Sequence, residues 1–167
     1  PKDQQVAEIL AAAHRRNVPV FSEIDWFALA LAELAKHYNY LPKVLAITGT
    51  NGKTTVTRLT EHLAKAAGLQ AIACGNISPA ALKALNTALE QDSLPAVWIL
   101  ELSSFQLHYT HLLQADVATV LNVTQDHLDW HTDMQEYTQD KSRIFAQATY
   151  RLLNRDDALS LQMQAAN

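Results

Sequence analysis

Apolar runs without polar alternation recur along the chain and are separated by segments with helical periodicity. The runs predict five buried strands, namely KVLAIT (43–48), LQAIAC (69–74), AVWILEL (96–102), DVATVLNV (116–123) and YRLLN (150–154). Buried strands that alternate with helices are typical of a parallel sheet covered on both faces. The pattern therefore predicts an α/β fold with a mostly parallel sheet and helices on both of its faces.

Residues 1–42 precede the first of these strands and show a different pattern. DQQVAEILAAAHRR predicts a helix, VPVF (18–21) predicts a short strand, and Ser22 opens a capping-box pattern ahead of a second helix. The polar, proline-bearing segment YNYLPK (38–43) follows and is the best domain boundary in the sequence. We therefore expect one unit over residues 1–42 and another over residues 43–167.

Three further helices are expected between the strands, over residues 53–68, 78–90 and 132–147. Gly68 closes the first of them in the C-cap role, and the Ser78-Pro79 pair opens the second. The third is expected to begin at Thr132, with Gln135 at the capping-box position.

Composition limits the classes of function. The net charge is −4 and the basic residues are scattered, so a basic face for nucleic acid is not expected. No apolar run approaches the ~18 residues that a membrane span needs. The single Cys74 fits a reducing compartment.

The segment GTNGKTT lies between a predicted buried strand and a predicted helix, the context of a phosphate-binding loop. Gly49 and Gly52 let backbone N–H groups converge on an anion, and the helix N-terminus adds partial positive charge. Lys53 is placed to reach the β- and γ-phosphates of ATP, and the Thr54 hydroxyl to reach Mg²⁺. The loop departs from the full P-loop consensus because Ile47 stands at the first glycine position. The alternative is a tight turn that happens to contain lysine.

A carboxylate follows the strand VWIL directly, at Glu101. Ligands of open α/β sheets collect at the carboxyl ends of the strands, where a magnesium ligand is needed. Glu101 is therefore the expected metal ligand. A surface glutamate at a strand end is the alternative.

The segment LNVTQDHLDWH places His127 and His131 four residues apart, with Asp126 and Asp129 nearby. Histidines at this spacing can share a helix face and bind zinc. The order of an H-E-x-x-H motif and a clear third ligand are both missing, so this signal is weak.

Three more polar residues have ordinary explanations. His108 and His111 flank a tyrosine, and solvated surface histidines in a loop are the better interpretation. Lys141 is, on composition alone, an exposed lysine on a helix.

Four motifs stand in order along the chain, namely GTNGKTT, CGNIS, LELSSFQL and LNVTQDHLDWH…YTQDK. Together they closely resemble the Mur ligase family of peptidoglycan synthesis, over residues 17–157. The resemblance implies a P-loop NTPase-like central ATP-binding domain, represented in part, preceded by the end of a Rossmann-like N-terminal domain. It also implies an ATP-dependent amide ligase of the bacterial cytoplasm that acts on small molecules.

The ELSSFQL and GNI segments are most similar to the family member that joins D-glutamate to UDP-N-acetylmuramoyl-L-alanine. The DHLDWH…Y…K segment is shared with the member that adds the third residue. Ser78 departs from the family, which usually has glycine after GNI.

The resemblance also implies a role for each matching residue. The ATP phosphates are bound by Gly49, Thr50, Asn51, Gly52, Lys53, Thr54 and Thr55. Two magnesium ions are held, the first by Thr54 and Glu101 and the second by His127 and an N-carbamylated Lys141. The UDP-muramoyl substrate is contacted by Asn76, Ser103, Gln106 and His127. The catalytic residues are Lys53, His127 and Lys141.

The chain begins without methionine and ends in LQMQAAN, so we expect a fragment of a longer polypeptide. The family's C-terminal amino-acid-binding domain has no counterpart in it, and the fragment alone is expected to be inactive. Two alternatives remain: another P-loop nucleotidase or GTPase switch, and a non-catalytic nucleotide-binding module. Against a GTPase, no glycine has aspartate three residues before it, and NVTQD matches the guanine motif poorly.

Overall fold

The computed structural model describes residues 4–126 and 130–165. The helices are α1 (Gln4–Arg15), α2 (Glu23–Tyr38), α3 (Lys53–Ala66), α4 (Ala81–Glu90), α5 (Ser104–His108), α6 (Met134–Ser142) and α7 (Ala158–Gln162), with 3₁₀ turns at Arg143–Phe145 and Met163–Ala165. The strands are β1 (Lys43–Thr48), β2 (Ala71–Gly75), β3 (Val97–Glu101), β4 (Val117–Val120) and β5 (Tyr150–Leu153).

The five strands form one sheet in the order β2-β3-β1-β4-β5, and every neighbouring pair is parallel. The strand register aligns Ile47 with Glu101, and Glu101 with Gly75. The predicted α/β class and the predicted parallel sheet are therefore confirmed.

Apolar side chains cover both faces of the sheet, as the unalternating strands predict. On one face, Trp98 is fully buried and packs edge-to-face against Phe27 of α2, with ring centroids 5.3 Å apart. On the other face, Ile47 and Ile99 pack against Val56 and other side chains of α3. Burying an apolar side chain of this size stabilises a fold by about 1.5–3 kcal/mol, so both layers contribute.

Two helix ends follow the sequence signals. Ser22 Oγ accepts a hydrogen bond from the Asp25 N–H, and the Asp25 carboxylate accepts one from the Ser22 N–H, which completes the capping box. Gly68 has φ +82° and lies just after α3, where the Leu69 N–H donates to Ala64. This pattern is a Schellman motif, which confirms the predicted role of Gly68.

Three local predictions are wrong. VPVF forms no strand; Val18, Val20 and Phe21 are exposed, and Pro19 lacks the N–H that a strand ladder requires. Helix α4 begins only at Ala81, two residues after Pro79.

The third error concerns α6, which begins at Met134 and ends at Ser142. Asp133, not Thr132, is its N-cap, because the Asp133 carboxylate accepts from the Glu136 N–H. The Thr132 N–H instead donates to the Glu136 side chain, at 2.6 Å. Aspartate is as good an N-cap as threonine, and here its carboxylate reaches the helix.

The proposed domain boundary falls between α2 and β1. Phe27 of α2 belongs to the same apolar cluster as Val44 and Trp98 of the sheet. The division at residues 42 and 43 stays a prediction. Across the described ranges, no helix combines the length and the apolar character that a membrane crossing requires.

Candidate functional site

The carboxyl ends of β2, β3 and β1 lie side by side and bring together three segments of the predicted site. Gly75, Glu101 and Ile47 are level in the register. The segment that follows each strand therefore emerges at the same edge. The GTNGKTT loop, Glu101 and Asn76 meet there, as expected for parallel strands.

The irregular part of the GTNGKTT segment ends at Gly52, and α3 begins at the next residue. Gly52 is the N-cap of α3; it has φ +80° and offers no side-chain cap. The first N–H groups of α3 have no partner inside the helix and are available to an anion. Lys53 Nζ donates to the carbonyl oxygens of Gly49 and Thr50, at 3.0 Å each. The lysine therefore folds back over the loop in this state.

Asn122, just after β4, holds the start of the loop. Its backbone oxygen accepts from the Thr50 N–H at 3.0 Å, and its side-chain oxygen accepts from the Asn51 N–H at 2.9 Å. Two of the predicted phosphate-binding residues thus have their N–H groups engaged. Sequence reasoning missed Asn122, although its position after a strand end is the same signal that found Glu101.

The Glu101 carboxylate connects the loop helix to the β2 segment. Thr54 Oγ1 donates to Oε2 at 2.8 Å, and Asn76 Nδ2 donates to Oε1, also at 2.8 Å. Glu101 is 1% exposed. The carboxylate is buried, and its hydrogen-bond partners, a hydroxyl and an amide, are both neutral, so no positive side chain balances its charge through these bonds. Carboxylate oxygens are good ligands for hard cations.

Only glycine fits at position 75. Gly75 has φ +111°, and a Cβ placed there would collide with the backbone carbonyl oxygen of Glu101. The Asn76 N–H donates to that same oxygen at 2.8 Å. The glycine therefore lets the β2 segment approach Glu101 closely enough for Asn76 to reach the carboxylate.

Lys141 of α6 is 2% exposed and donates to the Gly49 carbonyl oxygen at 3.0 Å. The exposed-lysine interpretation is therefore wrong. Its Nζ lies 4.5 Å from the ring centroid of Tyr137, whose hydroxyl is 3.1 Å from Thr50 Oγ1. Burial, and secondly the charge of Lys53, lower the pKa of Lys141 to about 7, against the opposing effect of Asp126.

Tyr137 was not singled out from the sequence, although it precedes Lys141 by four residues and so shares its helix face. Its own phenol is buried, which raises its pKa, while the hydrogen bond to Thr50 opposes that shift. Tyr137 thus packs against the Lys141 ammonium and touches the loop.

Ser103 and Gln106 lie next to each other at the start of α5. Ser103 Oγ accepts from the Gln106 N–H, and Gln106 Oε1 accepts from the Ser103 N–H at 3.0 Å. They form a capping box in this structure. His127, expected to serve both the second ion and the substrate, lies outside the described residues, as does Asp129.

The interpretation of His108 as a solvated loop residue is wrong. His108 ends α5, and its Nδ1 lies 2.8 Å from Asp140 Oδ2. His111 is exposed, as expected. His131 is buried in a turn before α6 and does not itself lie on a helix.

The fold and the site together are those of an α/β domain of the P-loop type. The chain belongs to the Mur ligase family, since the sequence model of the family's domain described as "Mur ligase middle domain" matches residues 47–167.

Two kinds of relatives agree with this assignment. The UDP-N-acetylmuramoylalanine--D-glutamate ligase of Bordetella avium is 59% identical over 165 residues, which cover 99% of this chain and 32% of the relative. A solved UDP-N-acetylmuramoyl-L-alanyl-D-glutamate--2,6-diaminopimelate ligase is 27% identical with a TM-score of 0.64, covering 80% of this chain and 31% of that one.

The folylpolyglutamate synthase of Mycobacterium tuberculosis, solved with ADP and AMPPCP, shares the fold. It is 19% identical with a TM-score of 0.62, and the match covers 98% of this chain and 48% of that one. The present chain spans about a third of the length of the curated ligases that it matches.

Proposed function

We propose that this chain is part of an ATP-dependent amide ligase that joins D-glutamate to UDP-N-acetylmuramoyl-L-alanine in peptidoglycan precursor synthesis. Curated relatives at 59% and 60% identity carry the name of that ligase. The structural observation that carries the proposal is the contact between Thr54 and Glu101, 2.8 Å apart beside the glycine-lysine loop. That contact joins a candidate phosphate site to a candidate metal ligand.

In this proposal the phosphates of ATP lie against the segment from Gly49 to Thr55. The N–H groups of the first turn of α3 donate to phosphate oxygens. Lys53 exchanges its bonds to two loop carbonyls for bonds to phosphate oxygens, in which donor and acceptor carry opposite charges. Lys53 then holds positive charge beside the phosphoryl group that is transferred.

Thr54 and Glu101 fit one magnesium ion. They offer a hydroxyl and a buried carboxylate, 2.8 Å apart. The Glu101 carboxylate accepts its other side-chain hydrogen bond from the neutral amide of Asn76. Oxygen ligands of this kind are those that Mg²⁺ prefers. When bound, magnesium would neutralise the charge that develops on the transferring phosphoryl group.

Lys141 fits a second ion only after modification, since an amine is a poor ligand for a hard cation. Its pKa of about 7 leaves a large fraction of neutral amine at physiological pH. The neutral nitrogen attacks the carbon of CO₂, a C–N bond forms, one C=O π pair moves to oxygen, and the nitrogen loses a proton to solvent. The resulting carbamate has anionic oxygens and also ends the repulsion with Lys53.

The substrate side of the site rests on Asn76, Ser103 and Gln106, with His127 as a further candidate for both substrate and metal. Asn76 already lies on Glu101, so it would connect the metal ligand to the muramoyl substrate. Ser103 lies two residues after Glu101 and Gln106 five residues after it, at the same edge of the sheet.

The chemistry consists of two transfers. The substrate carboxylate attacks the γ-phosphorus of ATP and ADP leaves, which gives an acyl phosphate. The amine of D-glutamate then attacks the acyl carbon, phosphate leaves, the nitrogen loses a proton and an amide remains. The residues of this chain contribute orientation and positive charge to the first transfer.

We further propose that residues 1–42 end a preceding domain that binds the UDP-substrate. Residues 43–167 then form the first part of the central ATP-binding domain, and a separate domain holds the incoming amino acid. The family match from residue 47 and the length of the relatives support this division. We also propose that the protein acts on small molecules in the bacterial cytoplasm; the names and bacterial sources of the relatives support the small-molecule substrates and the bacterial origin.

The test compares the full-length gene product with the 167-residue chain. Each is incubated with ATP, Mg²⁺, UDP-N-acetylmuramoyl-L-alanine and D-glutamate, and phosphate release and amide product are measured. We expect product that requires both substrates from the full-length protein only, because displacement by about 1 Å costs ~100-fold in rate. Nucleotide hydrolysis at the same rate with and without UDP-N-acetylmuramoyl-L-alanine and D-glutamate would instead favour a P-loop nucleotidase.

A further inference from the structure

A second polar cluster lies around the Asp140 carboxylate, away from the Thr54–Glu101 contact. Asp140 is 2% exposed. Its Oδ2 lies 2.8 Å from His108 Nδ1 and 3.4 Å from His131 Nδ1, while Arg143 Nε donates to Oδ1 at 3.1 Å. Two imidazole nitrogens thus converge on one buried oxygen.

His131 has a buried nitrogen without a hydrogen-bond partner. The residue is 1% exposed, and its Nδ1 forms no hydrogen bond. Its other ring nitrogen, Nε2, lies 2.9 Å from Ser104 Oγ, which fixes the orientation of the ring. A buried polar atom rarely remains unsatisfied, and this one faces a carboxylate oxygen across a gap that a cation could occupy.

The spacing around Asp140 fits a small tetrahedral ion. With metal–ligand distances of about 2.0–2.2 Å, ligand atoms in such a site lie roughly 3.3 Å apart. His131 Nδ1 lies 3.4 Å from the Asp140 oxygen, which matches this spacing. His108 Nδ1 lies 2.8 Å from it, a hydrogen-bond distance that lengthens when an ion takes the place of the shared proton. The ligand atoms of His108, Glu136 and Asp140 all lie within 4.8 Å of one another, so Glu136 is a candidate for the fourth ligand.

We propose that His108, His131, Asp140 and Glu136 bind one divalent transition-metal ion of the Zn²⁺ type. Two imidazoles with two carboxylates favour zinc over magnesium, which prefers an all-oxygen octahedral shell. Arg143 contacts Asp140 and Ser104 contacts His131, each through the side-chain atom that does not face the ion. Such contacts orient metal ligands. The site shares no residue with the proposed nucleotide site and does not depend on the proposed function.

The ion would join three elements that the fold otherwise brings together through packing. His108 ends α5, His131 lies in the turn before α6, and both carboxylates belong to α6. Metal binding therefore stabilises the folded chain, because the unfolded chain holds these ligands far apart.

The experiment uses the full-length gene product after treatment with a chelator. Zn²⁺ is titrated calorimetrically in excess Mg²⁺, and Co²⁺ is added separately as a visible spectroscopic probe of coordination. We expect one Zn²⁺ per chain, a tetrahedral Co²⁺ spectrum, and a higher melting temperature with Zn²⁺. His108→Ala and Asp140→Asn should each weaken Zn²⁺ binding by at least ~10-fold.

His111→Ala serves as the matched control. It removes an exposed histidine near α5 and should bind Zn²⁺ as the unaltered chain does. His127→Ala tests the competing histidine pair that the sequence motif offers, His127 and His131.

The proposal is overturned if the unaltered chain binds no Zn²⁺, or if His108→Ala binds it equally well. It is also overturned if His127→Ala abolishes binding while His108→Ala keeps it. Should Asp140→Asn fail to fold, His108→Ala still decides, because the His108 side chain is 29% exposed and less of the core depends on it.

Discussion

The side-chain nitrogens of Lys53 and Lys141 donate to the same acceptor, the carbonyl oxygen of Gly49, at 3.0 Å each. One lysine belongs to the first turn of α3 and the other to α6, 88 positions later in the sequence. When both lysines are protonated, the two ammonium groups on one oxygen repel each other, and one of them is buried. The loop therefore has two lysine side chains at one oxygen, and a bound anion would reduce the repulsion between them.

The titration of Lys141 should appear in the pH dependence of stability. Its pKa falls from 10.5 to about 7 on folding, so between these values the unfolded chain binds a proton that the folded chain does not. The free energy of unfolding should therefore rise with pH across this window, by on the order of a few kcal/mol. Below about pH 7 the destabilisation is present in full.

Chemical denaturation of the unaltered chain and of Lys141→Met, in CO₂-free buffer from pH 6 to about 10, isolates this effect. Methionine fills a similar volume without charge, so other titrating groups cancel in the difference. A difference between the two proteins that stays flat across the window would contradict the assignment.

With ¹³C-bicarbonate, a carbamate NMR signal should appear in the unaltered chain and not in Lys141→Arg.

Lys53→Ala should abolish nucleotide binding and leave the fold intact. The lysine contacts two loop carbonyls and is only half-buried. Losing both contacts costs about 1–3 kcal/mol of stability. Lys65→Ala is the matched control, because Lys65 is an exposed lysine at the other end of the same helix.

Calorimetry with ATP and a thermal melt check both parts of this prediction. The Lys65→Ala protein should bind ATP as the unaltered chain does. A non-cooperative melt of Lys53→Ala would show that the lysine serves the fold and not the phosphate.

Gly75→Ala should destabilise the chain more than Gly68→Ala. Both glycines have positive φ, but the space beside Gly68 is open, whereas a Cβ at position 75 meets the Glu101 carbonyl. Backbone strain alone costs about 1–2 kcal/mol, and the collision should bring the cost at position 75 to about 3 kcal/mol or more. Denaturant titration of both variants checks this; equal losses would mean that the β2 segment moves aside freely.

The strands could be predicted because buried parallel strands consist of uninterrupted apolar residues, as in VWIL before Glu101. The same logic located Glu101 and Thr54, since a strand end and the following helix are local features of the sequence. VPVF failed because apolar content alone does not supply a neighbouring strand, and Pro19 removes a donor.

The contacts of the site with distant residues could not be predicted in this way. Asn122 meets Asn51 across 71 positions, and Tyr137 meets Thr50 across 87. Such pairs depend on the order of strands in the sheet, which the sequence pattern left open. The burial of Lys141 has the same origin, since only the packing of α6 against the loop removes it from water.

In the proposed site, Thr54 and Glu101 bind the magnesium ion of a nucleotide held by the glycine-lysine loop. The most direct measurement is calorimetric ATP affinity of the unaltered chain and of Glu101→Gln, each with and without Mg²⁺. Glutamine keeps the shape but is a poorer ligand for a hard cation. We predict that Mg²⁺ strengthens ATP binding by the unaltered chain, and that Glu101→Gln loses this gain while its magnesium-free affinity changes little. Equal losses with and without Mg²⁺ would contradict the assignment of Glu101 as the metal ligand.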